Sequence, residues 1–155
     1  MNLIEFHVPT IVALAGELKA DSKPKWGSMS AATMLGHLVD IARISNGKLK
    51  VDFANKPEHL PKLRHILYKD APFPEGFAAP AQIEELIKSA KPQQELSYLV
   101  ERLQEELSAF DSHFVKEGQK EVNAVFGPLD KNDWVQFHRK HISHHLSQFD
   151  LWKYD

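Results

Sequence analysis

The sequence predicts an all-α fold, a four-helix bundle with a long irregular crossover between the second and third helices. Three observations carry that reading. Leu96, Leu99, Val100, Leu103, Leu107, Phe110 and Phe114 keep helical spacing over about five turns. No stretch alternates apolar and polar residues convincingly, so strands are not expected. The 155 residues show no internal repeat, linker or second domain, so residues 1–155 form one domain with a single substantial core.

Each element has its own local signal. A first helix is expected from about Pro9, a residue suited to a first turn, through Ile11, Leu14 and Leu18. The stretch Asp21-Ser22-Lys23-Pro24-Lys25-Trp26-Gly27 breaks it. Ser30 is an N-cap for a second helix ending near Asn46-Gly47, with Met34, Leu38, Ile41 and Ser45 as its stripe and His37 set among them. Pro57, Pro61, Pro72, Pro74 and Pro80 exclude a continuous helix over residues 48–80, leaving room for a short one from Leu60 to Tyr68. Another short helix, Ala81 to Ser89, precedes Lys91-Pro92. The long periodic helix follows and should stop near Gly118, and residues 119–129, containing Phe126-Gly127-Pro128, read as a loop. Asp130 can cap the last helix, with Asp133 in its first turn facing the positive end of the dipole. That helix should run to about Phe149 or Trp152.

Composition narrows the function. A net charge of -2 with 26% charged residues argues against an electrostatic grip on nucleic acid or an anionic membrane. No apolar run approaches about 18 residues, and the N-terminus lacks a signal-peptide pattern, so the cytoplasm is the expected compartment. Cysteine is absent, which excludes disulfides, thiolate ligands and a cysteine nucleophile. His, Asp and Glu remain as ligand chemistry.

Four of the nine histidines, His138, His141, His144 and His145, fall within eight residues. At about 100° per residue, Trp134, His138, His141, His145 and Phe149 share one helix face, while His144 falls toward the flank. Imidazoles on a stripe with large aromatics point inward and need partners there, and a metal ion is the simplest shared one. A solvated polar face would leave Trp134 and Phe149 in water as well. His141 with His145 can reach one ion, and so can His138 with His141; spacing does not choose between them. His37, an imidazole on another helix's apolar stripe, is the natural third ligand. Three histidines leave coordination positions open, the arrangement of a catalytic metal.

Other chemistries are excluded. Ile142 stands where the metalloprotease signature needs Glu, no Glu-x-x-His occurs, and nucleophile-elbow, phosphate-loop and dinucleotide motifs are missing. His7, His59, His65 and His113 read as surface residues, and Glu84-Glu85 and Glu105-Glu106 as solvated helix faces. The apolar stripe of the long helix reads as core.

These residues resemble a known family. Trp26-Gly27-Ser28-Met29, Met34-Leu35-Gly36-His37, Phe126-Gly127-Pro128-Leu129, Trp134 and His141-Ile142-Ser143-His144-His145-Leu146-Ser147-Gln148-Phe149 look like the DinB/YfiT-like superfamily. The likeness is closest to a branch carried as a domain of unknown function and spans about Pro9 to Phe149. It implies a four-helix bundle, often homodimeric, with a three-histidine divalent-metal site. Carried over residue by residue, the ligands fall on His37, His141 and His145, and His138 moves to a neighbouring role. Characterised relatives include S-transferases using bacillithiol or a similar small thiol, and a mycothiol-dependent isomerase. Relatives often carry Arg-Gly-Gln after the double histidine; here Leu146-Ser147-Gln148 stands instead, which removes a cation.

The chemistry that fits is metal-dependent. Three neutral imidazoles leave the ion its full charge, so a small thiol held there would be a thiolate able to attack an electrophilic carbon, whereas water there would hydrolyse an activated bond. His138 is a candidate proton acceptor or a donor that steadies a ligand. Asp40, one turn after His37, could orient that imidazole. Residues 71–80, with Phe73 and Phe77, could cover the site. Zinc or nickel heads the expected ions, with manganese, iron and cobalt as alternatives. The competing reading is a non-catalytic protein whose metal is structural or sensed; it predicts a fourth protein ligand such as His138.

Overall fold

Caps fix where the two site-bearing helices begin. In the computed structural model, which describes residues 2–89 and 94–155, Ser30 Oγ accepts from Thr33 N at 3.1 Å and opens α2, Ala31–Ser45. Asp130 accepts from Asp133 N at 2.9 Å while Asp133 Oδ2 accepts from Asp130 N at 3.3 Å. This reciprocal capping box opens α6, Lys131–Gln148. The other helices are α1 (Val8–Ala15), α3 (Leu60–Tyr68, entered through a 3₁₀ turn at Pro57–His59), α4 (Ala81–Ser89) and α5 (Leu96–His113). The short helices expected at Leu60–Tyr68 and Ala81–Ser89 are both present; the Lys91-Pro92 break lies outside the described residues. The chain is mostly helical, and among the described residues no helix is long and apolar enough to cross a membrane.

Residues 119–129 correct the expected loop. They form an antiparallel pair, β1 (Glu121–Asn123) and β2 (Gly127–Leu129), with Glu121 opposite Leu129 and Asn123 opposite Gly127. Three-residue strands are too short to display alternation, so the sequence pattern could not announce them. Asn123 Oδ1 makes the turn by accepting from Val125 N (2.9 Å) and Phe126 N (3.0 Å). Gly127 leaves it at φ 77°, where an added Cβ would sit 2.8 Å from Leu60 Cδ2.

Helix ends also moved. The first helix stops at Ala15, although Leu18 is still buried in the core. The long helix stops at His113 rather than near Gly118, because Gln119 takes over its end. Its Oε1 accepts from Val115 N and Lys116 N, and its Nε2 donates to His113 O. The last helix ends at Gln148, with Asp150 in the left-handed region (φ 61°) turning the chain back.

Glu106 is a further correction. Glu105 is solvated as expected, but Glu106 is 1% exposed. Lys48 Nζ lies 2.9 Å and Asn46 Nδ2 3.0 Å from its carboxylate, with Arg102 at 3.4 Å. Burial pushes its pKa up, but the bonds from Asn46 and Lys48 outweigh this and hold it below the usual value. Sequence spacing alone does not show that the bend carrying Lys48 passes over that helix face.

The core has two parts. An aliphatic cluster gathers Ile11, Met34, Leu35, Leu103, Ile142 and Leu146, and an aromatic one gathers Phe73, Phe110, Phe126, Trp134 and Phe137 with Ile41 and Ile44. α2 lies along α5, α1 packs on α5, and α6 touches α2 and α3. On α2, His37 is flanked by Leu35 and Leu38 of the first cluster, with Ile41 of the second one turn further on. On α6, His141 falls between Phe137 of the second and Ile142 of the first. The histidines therefore meet where the two clusters join.

Candidate metal centre

α6 is polar by composition yet buried along most of its length, and several of its polar side chains find partners inside. Lys140, 1% exposed, donates from Nζ to Ile66 O (2.8 Å) and Lys69 O (3.0 Å) at the carboxyl end of α3. Ser143 Oγ accepts from Ile4 N at 2.9 Å, and Trp134 Nε1 donates to Glu121 O at 3.0 Å. Trp134, Phe137, Ile142 and Leu146 supply the apolar gain, each about 1.5–3 kcal/mol when fully buried. Together these contacts tie the helix to α3, to the N-terminal segment and to β1.

His37, His141 and His145 converge. His141 Nε2 lies 3.0 Å from His37 Nε2 and 3.1 Å from His145 Nε2. All three rings are buried, and they form the one group of potential metal ligands among the described residues. His145 Nδ1 donates to Gln148 Oε1 at 2.7 Å, which leaves its Nε2 as a bare lone pair. His141 Nε2 can hold only one proton between its two neighbours, and its Nδ1 has no partner among the described residues. Protons alone leave this cluster undersatisfied, whereas one cation would answer all three lone pairs. The spacing suits it: nitrogens about 2.1 Å from one ion stand roughly 3.0–3.4 Å apart.

Electrostatics agree. Burial, with His144 adding to it, pulls His37 down to about 4. Burial and the neighbouring histidines hold His141 and His145 well below 6.5. All three are neutral at pH 7, the form that ligates.

A cavity of about 140 Å³ opens onto these rings. Its walls include Ile41 and Ile44 of α2, Phe73 and Phe77 of the irregular crossover, Ile83 of α4 and Phe126 of the hairpin turn. Phe73 and Phe77 stack 5.9 Å apart, and with Ala79 and Pro80 they put part of the 71–80 segment in the pocket wall. Sequence reasoning missed Asn123, Glu84 and α4 as wall residues; the Asn-x-x-x-Gly turn was the available signal for the first.

The remaining histidines sort by position. His138 Nε2 lies 2.9 Å from Ser45 Oγ, whose own proton goes to Ala42 O, so the imidazole donates there. Its ring is enclosed by Phe6, Phe110 and Trp134, and it is not a pocket wall. His144 does line the pocket, bonded to the Phe73 backbone and edge-on to Trp26. Among the described residues, Asp40 makes no hydrogen bond to His37; its carboxyl is raised by burial, partly offset by Arg43. His7, His59 and His65 are exposed, while His113 is half-buried against Glu121 at 2.8 Å.

Residues 69–151, just over half of the chain, match the family described as Protein of unknown function (DUF1569), and the chain belongs to that family. No curated protein and no solved structure matches it.

Proposed function

We propose that this member of the DUF1569 family is a metal-dependent enzyme with a divalent ion held by His37, His141 and His145. The observation that carries the reading is the meeting of three Nε2 atoms, one of them bared by Gln148, on the floor of an apolar pocket. The ligand set has three members and no fourth among the described residues, which favours open coordination positions over a structural metal. We also read the fold as a DinB/YfiT-like four-helix bundle made of α1, α2, α5 and α6. The packing of α1 and α2 on α5, and of α6 on α2, supports that reading.

A divalent ion in this place would supply Lewis acidity and lower the pKa of a small thiol or water toward neutrality. The chain's own residues do the rest. Gln148 fixes the tautomer of His145, and the apolar walls exclude bulk water. His138, donating to Ser45, ties α6 to α2 and so holds His141 against His37. His144 is the imidazole on the pocket wall placed to accept a proton from the nucleophile.

Transfer from a small thiol to an electrophilic carbon is the first reading of the reaction. Hydrolysis is the second, and one observation favours it: Leu146, where relatives carry arginine, is fully buried among aliphatic side chains, so no cation stands there for an acidic thiol. Bound metal should be measured in the wild type and in His37→Ala, His141→Ala and His145→Ala. Each variant is expected to lose the ion; full retention in all three would overturn the assignment.

A further inference from the structure

Asn123 is a polar wall residue that the metal site does not use. Its Oδ1 accepts two backbone N–H groups, from Val125 and Phe126, so the amide cannot be turned the other way round. The residue is 4% exposed and lines the cavity, yet its Nδ2 makes no hydrogen bond within the described residues. Nδ2 is thus free to meet water or a ligand, and the cavity that Asn123 lines is where a ligand's acceptor can reach it.

The rest of the wall says what kind of molecule brings it. No lysine or arginine lines the cavity among the described residues, and Glu84 is the one carboxylate. An anion entering would lose its hydration and gain no cationic partner besides the metal. Ile41, Ile44, Phe73, Phe77 and Phe126 offer instead aliphatic and aromatic faces. Phe73 and Phe126 are near-parallel, at 20° and 6.0 Å, which suits a flat group alongside.

We infer that the pocket takes an uncharged, largely apolar small molecule with one acceptor oxygen, and that Asn123 Nδ2 donates to that oxygen. Resting on the metal-enzyme reading, this names the class of its electrophilic substrate.

Three probes of similar size separate the contributions: acetophenone (flat, one acceptor), ethylbenzene (flat, no acceptor) and benzoate (flat, anionic). Ligand-observed NMR on the zinc-loaded protein should give acetophenone the highest affinity, by about ten-fold. In ¹⁵N-labelled wild type, acetophenone should shift the Asn123 side-chain amide signal and ethylbenzene should not. Asn123→Asp keeps the acceptor for the turn and replaces the donor. It should lose acetophenone affinity about ten-fold while holding ethylbenzene within about two-fold. Benzoate binding as tightly as acetophenone, or an Asn123 amide signal that ignores acetophenone, would overturn the inference. Metal content on the same samples keeps the two ideas apart: this probe pattern in a wild type that binds no zinc would sink the metal reading and leave Asn123 as a binding residue.

Discussion

Gln148→Leu tests whether the last helix builds its own metal ligand. Gln148 and His145 are both buried, three residues apart on α6, and joined by a 2.7 Å hydrogen bond. Leucine nearly matches glutamine in volume but offers no acceptor, so packing is kept while the tautomer control is lost. His145 Nδ1–H then becomes a buried donor without a partner, a cost of about 1–3 kcal/mol, unless the proton moves to Nε2 and blocks the ligand lone pair. Either route weakens binding, and losses of about 10–100-fold are usual when a ligand's supporting partner is removed. Competition with a coloured chelator at pH 7.5 reads the dissociation constant directly. Gln148→Glu, whose carboxylate accepts the same bond more strongly, should bind at least as tightly as wild type. A folded Gln148→Leu variant with zinc affinity within about two-fold of wild type would refute the reasoning.

Two further outcomes follow from burial and backbone geometry. In the metal-free protein, His37 is held at about 4 and His138 at about 3, both by burial, against 6.5 unfolded. As pH falls below 6.5 the unfolded chain takes up these protons first, so this contribution is complete above 6.5 and is lost toward pH 4, by about ten-fold in the folding equilibrium per pH unit per histidine. Urea midpoints measured with chelator present at pH 7.5 and 5.5 should therefore fall, and equal midpoints would contradict the burial of these rings. Gly127→Ala should destabilise the protein by more than the about 1–2 kcal/mol of a left-handed alanine, because its Cβ also meets Leu60. Thermal unfolding reads this; a melting point within about 1 °C of wild type would contradict the turn geometry.

Much of the fold was legible. Ser30 and Asp130 cap where expected because a cap depends on neighbours only a turn away, and the two short helices fall between prolines that bound them. What escaped depends on distant chain. The β1–β2 pair is three residues per strand and gains from Leu60 closing over its glycine. Glu106 reads as a solvated acid until Lys48 and Asn46 arrive from the end of α2.

The site divides in the same way. By itself the sequence determined that histidine was the available ligand chemistry, that His141 and His145 shared a helix face, and that His37 sat on another apolar stripe. Those are consequences of composition and of a fixed helical period. Only the tertiary structure decided that the third ring, 104 residues away from His141, meets it at 3.0 Å. It also spent His138 on Ser45 and brought His144, Asn123 and Phe73 to one cavity. A helix face is set by local geometry, but which face it meets is set by how two core clusters close on each other, and no local pattern records that.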